Sequence, residues 1–407
     1  MFAPPSAESV IDRAPAWRML AVLAAAELLG MSLWFSATAV TASLVEAFQL
    51  TPAATAWLTI AVQAGFVGGT LVTAALNVAD VVPARRLMGL GAIAGAAANL
   101  AALLVASPAG LLATRFLTGA ALAWVYPPAM KIVAGWFRQR RGLALGVIVG
   151  ALTLGKAMPY LVTALFAGEW RTSLLFTSGL ALAGAVLALG VVRDGPLAIT
   201  TARFDLGAIR RIVAVREVRL VTLGYLGHMW ELYAMWAWVA VFAAASLAAS
   251  GVASPAREAA LVAFIAIGSG ALGCVMAGRL ADTFGKARVA RTSMAVSAVC
   301  AGATALVYGR HPGWLFALAV VWGFSVVADS AQFSALVSER APADAVGTAL
   351  TLQTSLGFLL TMLTIDLTPR LAALAGWQWG CVFLALGPIA GFLAMGRLEG
   401  ARATQRT

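Results

Sequence analysis

Apolar runs of roughly 20 residues, the length a helix needs to cross a ~30 Å hydrocarbon core, follow one another along this entire chain. No other feature restricts its fold as much. Pro, Gly or charge divides the runs into twelve expected helices: 18–44, 54–78, 87–106, 110–135, 142–166 and 172–192, then 220–247, 257–280, 289–308, 313–337, 346–368 and 378–396. With 61% hydrophobic and 11% charged residues, the chain lies far from soluble domains, where about a quarter of residues are charged. The net charge of +11 does not point to nucleic acid, because the basic residues sit between apolar runs instead of on one face. The first residues hold Glu8, Asp12, Arg13 and three prolines, a polar tail and not the basic-then-apolar layout of a cleaved signal. Cys274, Cys300 and Cys381 all fall inside apolar runs without metal-like spacing and are expected as small core residues.

The longest charged segment, 193–219, separates the sixth run from the seventh. The expected organisation is therefore a tail (1–17), a six-helix bundle (18–192), a linker (193–219), a second six-helix bundle (220–396) and a second tail (397–407). Of 28 Lys and Arg residues, only Arg171, Arg257, Arg310 and Arg370 fall in the loops opposite the termini. Basic residues stay on the cytoplasmic side, which puts both termini there, in the inner (plasma) membrane of a bacterium. The halves also echo each other. "ELLGMSLW" from Glu27 returns as "ELYAMWAW" from Glu231, Thr51-Pro52 returns as Ser254-Pro255, and Asp80 returns as Asp282, at offsets of 202 to 204. A constant offset over three features argues duplication into two pseudo-symmetric bundles with a site between them near the midplane.

"GRLADTFGKAR", Gly278 to Arg288, resembles the loop signature of the major facilitator superfamily, Gly-x-Leu-x-Asp-x-x-Gly-Lys/Arg-x-Arg. Its first-half counterpart, "LNVADVVPAR", keeps Asp80 and Arg85 but lacks both glycines. "RFLTG", Arg115 to Gly119, is similar to the family's fourth-helix signature, and the fifth helix has family-like glycine spacing without the proline after Gly150 common in antiporters. The resemblance implies an all-α integral membrane protein of twelve transmembrane helices, working by alternating access. It also implies a lock or gate formed by Asp80, Arg85, Gly278, Asp282, Gly285, Lys286 and Arg288. In physical terms, Asp282 at a helix end accepts from backbone N–H groups or pairs with Lys286 or Arg288.

A charge near the bilayer centre costs at least ~2.5–3.5 kcal/mol, so each one calls for a reason. Glu27, Met31 and Trp34 share a helical face, as do His228, Glu231, Met235 and Trp238. The expectation is that Glu27 and Glu231 meet across a central cavity as proton-coupling groups, with His228 sharing the proton; the alternative is a buried polar bridge. Arg115 and Lys156 answer them as cations. Together with Trp34, Trp238, Tyr126, Asp329 and Gln332 they form the expected substrate-binding set. Pro127 and Pro128 in "YPPAM" remove backbone donors and should kink the fourth helix into a gating element.

No zinc, haem, phosphate-loop or nucleophile spacing occurs, so no enzyme, metal or cofactor is expected. The expected function is proton-coupled secondary transport of a small organic or inorganic anion. The competing readings are proton-driven efflux of amphipathic cations and a transporter-like receptor that moves nothing. The partners expected are the lipid bilayer, a small solute and protons, with no nucleic acid, for a monomer.

Overall fold

The computed structural model describes residues 14–76, 78–138, 140–166, 168–197 and 206–404. Twelve long helices are present among them: α1 Ala14–Met31, α2 Pro52–Ala75, α3 Ala84–Ala101, α4 Pro108–Trp136, α5 Arg141–Leu165, α6 Trp170–Gly190, α7 Arg216–Ala249, α8 Pro255–Phe284, α9 Lys286–Val307, α10 Pro312–Arg340, α11 Ala343–Ala375 and α12 Trp377–Gly400. Eleven are long and apolar enough to cross a membrane. The exception, α3, carries Arg85 and Arg86 in its first turn and Asn99 near its end.

Several helix starts are written in the sequence. Pro occupies the first turn of α2, α4, α8 and α10, where its missing N–H is not needed. Thr51, Ser107 and His311 accept backbone N–H bonds just before three of those helices. Gly285, at φ 88°, makes the turn between α8 and α9 in a conformation that a side chain would strain. That accounts for one glycine of the loop signature.

Helices α1–α6 and α7–α12 form two bundles, joined along two seams, α5 with α8 and α2 with α11. Glycine makes the first seam close. A Cβ at Gly146 would lie 2.8 Å from the Cys274 carbonyl oxygen, one at Gly150 2.9 Å from that of Ala271, and one at Gly278 2.9 Å from that of Gly142. Gly142, Gly146 and Gly150, one turn apart along α5, with Gly278 of α8, let two backbones from different bundles touch.

Four helices depart from continuity, among them α12, which breaks at Cys381 and passes through the 3-10 helix Val382–Ala385. The first expected span, 18–44, unwinds: α1 stops at Met31 and turns lead into the short helix Thr41–Phe48. Within the break, the Ser32 and Ser36 hydroxyls donate to the carbonyls of Leu29 and Leu33, three residues back, in competition with the helical ladder. The fourth helix divides into Pro108–Leu122 and Tyr126–Trp136, so Pro127 and Pro128 start a new segment after an interruption. The tenth divides into Pro312–Ala328 and Ser330–Arg340 at Asp329. Val125 and Asp329 are 204 positions apart, the same offset as the two glutamates, so the two bundles break their fourth helices at the same level.

Candidate functional site

A cavity of about 610 Å³ lies between the bundles. Its mouth is lined by Arg138, Arg140, Arg141, Asp282, Lys286 and Glu339, which puts it on the side of the basic loops. Its blind end is lined by Trp34, Phe66, Lys156, Tyr233, Trp236 and Phe358, all buried. Rings from the two bundles close that end. Trp34 lies 5.1 Å from Phe66, 5.7 Å from Tyr233 and 6.0 Å from Phe358, while Phe66 and Phe358 approach to 4.9 Å. Behind them Tyr160 donates to the Trp236 carbonyl oxygen at 3.0 Å, a further tie between bundles.

Lys156 stands at the centre of this end. Its Nζ sits 3.8 Å from the centroid of Trp34, 4.6 Å from Tyr233 and 5.3 Å from Trp236, and donates to the Tyr233 hydroxyl at 2.5 Å. Three π-faces stabilise an ammonium group without a first-contact carboxylate. The indole N–H groups of Trp34 and Trp236 are buried and have no hydrogen-bond partner among the described residues. The blind end therefore offers the Lys156 ammonium, and no carboxylate lines it among the described residues.

The expected carboxylates are placed differently from the sequence reading. Neither Glu27 nor Glu231 lines the cavity. Glu231 points into its own bundle, accepting from Ser297 Oγ on α9 and Trp322 Nε1 on α10, both at 2.7 Å. The cause is helical phase. The cavity face of α7 is Tyr225, Met229, Leu232, Tyr233 and Trp236, and at ~100° per residue Glu231 falls about 150° away from it. His228 is also turned inward. Its Nδ1 lies 2.7 Å from Asp329 Oδ1, a close contact off the line of the ring N–H, and neither residue lines the cavity. Glu27 is fully buried in the first bundle, with neither oxygen hydrogen-bonded among the described residues. It lies on α1, which packs against α5, the helix that carries Lys156 to the cavity. The break after Met31 explains why the expected common face of Glu27, Met31 and Trp34 does not form.

Arg115 does not line the cavity. It is buried, donating through Nη1 to Asn99 Oδ1 at 2.5 Å and through Nη2 to the Leu33 and Trp34 carbonyls at 2.9 and 3.5 Å. Those carbonyls belong to the unwound stretch of α1, so the guanidinium supplies donors that the missing helical turn does not. Asn99 passes the network on to Leu174 O and Ser178 Oγ. Each acceptor stranded in a buried site costs about 1–3 kcal/mol. Arg115→Leu is accordingly expected to lower the melting temperature of the purified protein markedly, and an unchanged melting curve would refute this role. Trp238 is also outside the cavity; its Nε1 donates to Ile365 O at 2.8 Å, tying α7 to α11. Gln332 is buried away from the lining as well.

At the mouth, Asp282 pairs with neither Lys286 nor Arg288. Lys286 reaches Glu339 at 2.7 Å, and Arg288 approaches Glu399 at 3.7 Å. The Asp282 carboxylate instead abuts the first turn of α5, where a Cβ at Gly142 would meet its Oδ1 at 3.2 Å. A helix amino end attracts an anion there, and the contact crosses between bundles. Arg85 lies against Asp194, its backbone N–H donating at 3.1 Å, and the Asp80 side chain is outside the described residues. Tyr233, Phe66, Phe358 and the arginines at the mouth were not anticipated. The i, i+3 and i, i+4 spacing of Met229, Leu232, Tyr233 and Trp236 is the signal that could have found the cavity face of α7.

The Major Facilitator Superfamily model matches residues 22–365. The chain belongs to this superfamily. No curated protein matches it in sequence. Among solved structures, it resembles a bacterial homologue of the human lysosomal transporter Spinster, in an inward-facing and unoccupied conformation, at 16% identity and TM-score 0.72 over 96% of this chain and 98% of that one. It also resembles a mutant of the nucleoside transporter NupG, at 15% identity and TM-score 0.67 over 93% and 99%. At such identities the likeness establishes the fold. This member of the major facilitator superfamily is thus a secondary transporter by family, with a cavity between its two bundles.

Proposed function

We propose that the protein carries a small organic or inorganic anion together with a proton, one anion binding at Lys156 while Glu27 takes up the proton. The observation that carries this reading is the cationic blind end: Lys156 lines it, and the acidic lining residues are confined to the mouth. An anion supplies the counter-charge that no lining carboxylate gives at that end, and an organic cation would meet a fixed like charge. The three arginines at the mouth add positive potential along the entry route, which raises the local anion concentration.

Coupling follows from charge balance. With the cavity empty, Glu27 answers the charge of Lys156 from α1. An arriving anion takes over that partner, and the carboxyl group is then best accommodated as the neutral acid, since a second buried negative charge would be uncompensated. Anion and proton leave together for the converse reason. Glu231, held by Ser297 and Trp322, acts in this scheme as a polar bridge between α7, α9 and α10. By the bias of Lys and Arg, the mouth faces the cytoplasm of a bacterial cell, and the unit is the monomer, since the cavity is complete within one chain. Efflux of amphipathic cations is disfavoured, as neither membrane glutamate lines the cavity.

The test is ligand-dependent stabilisation of the purified protein. Carboxylates or inorganic oxyanions are expected to raise its melting temperature, and lipophilic cations are not. Stabilisation by the cations alone would replace this reading with efflux.

A further inference from the structure

Away from the central cavity, a second hollow of about 380 Å³ opens on the outer face of the carboxyl-terminal bundle, between α8, α9 and α10. Its walls are apolar, with Met276, Leu280 and Phe284 of α8, Val296 of α9 and Val321 of α10 on its rim, each 38% exposed or more. From Gly273 to Phe284 the α8 wall rises about 16 Å at ~1.5 Å per residue. One leaflet of hydrocarbon is about 15 Å deep, half of ~30 Å. The groove is therefore one leaflet long. At its basic-side end stand Arg288 and, one turn on, Thr292 and Ser293. The Arg288 side chain is 69% exposed, and the acid it approaches, Glu399 at 3.7 Å, is already held by Arg291 at 3.0 Å.

We propose that this groove holds one acyl chain of an anionic phospholipid, whose phosphate pairs with Arg288. Charge and length identify the occupant. A guanidinium matches phosphate oxygens in a two-pronged geometry that a zwitterionic headgroup offsets with its own cation. The basic side of a membrane protein is also where anionic headgroups draw Lys and Arg. The apolar wall then covers a chain of one leaflet's depth, which a water-soluble anion does not supply. Phe324, Ser325 and Ala328 of the groove lead directly into the break of α10 at Asp329. A bound lipid would brace the first half of that helix, while the second half lines the transport cavity through Ser330, Ser334 and Ser338.

The experiment is native mass spectrometry of the full-length protein in detergent, with phosphatidylglycerol or phosphatidylcholine of identical chains added at equal concentration. The wild type should retain phosphatidylglycerol about tenfold better, the effect of one charge-assisted contact. Arg288→Gln should retain the two lipids alike. Val321→Trp, which fills the groove from its lipid-facing rim, should lose both. Excess inorganic phosphate should displace neither. No preference in the wild type, a preference that survives Arg288→Gln, or displacement by phosphate would overturn the assignment.

Discussion

Lys156→Gln should weaken anion binding by roughly 10–100-fold, the equivalent of losing ~1.5–3 kcal/mol of charge-assisted contact. The substitution keeps a donor on a side chain one atom shorter and removes its charge. Tyr233, Trp34 and Trp236 then surround a neutral amide, and Glu27 has no cation to answer. The loss should appear in equilibrium binding to the purified protein. The fold is expected to survive, because the rings around Lys156 pack on one another across the bundles. Anion binding at wild-type strength in this variant would remove the assignment of the site.

Glu27→Gln should separate binding from coupling. Its amide imitates the protonated acid, the form that accompanies a bound anion in the proposed cycle. Binding is therefore expected to persist or tighten, while uptake into proteoliposomes ceases to respond to a proton gradient and exchange of one anion for another continues. The same change at Glu231 should instead act on stability, since the carboxylate there accepts two hydrogen bonds inside its bundle. If Glu231→Gln alone abolished the proton dependence, the roles given to the two glutamates would be reversed.

The overall architecture was legible because bilayer depth, apolar run length and the distribution of Lys and Arg act on the entire chain at once. The repeat offset that aligns Glu27 with Glu231 also aligns the breaks of α4 and α10, although only the first of these breaks was signalled, by Pro127 and Pro128. Lys156, singled out by type and depth, and Tyr126, singled out within "YPPAM", both line the cavity. Glu231 was misplaced because duplication preserves position along a helix without requiring that both copies keep the same orientation. The first copy lies on a helix that unwinds, the second on one that runs unbroken from Arg216 to Ala249. Arg115 was misread for a related reason. A cation within an apolar run looks like half of a substrate site until the carbonyls of a broken helix are seen to use it. Such demands arise from tertiary contacts, and local sequence does not display them.

The most direct measurement follows anion uptake and proton movement together in proteoliposomes containing the wild-type protein. The account predicts that each anion entering is matched by a proton, so that an inward proton gradient accelerates uptake and anion entry in turn drives protons inward. Anion movement with no accompanying proton, or proton movement driven only by lipophilic cations, would contradict it.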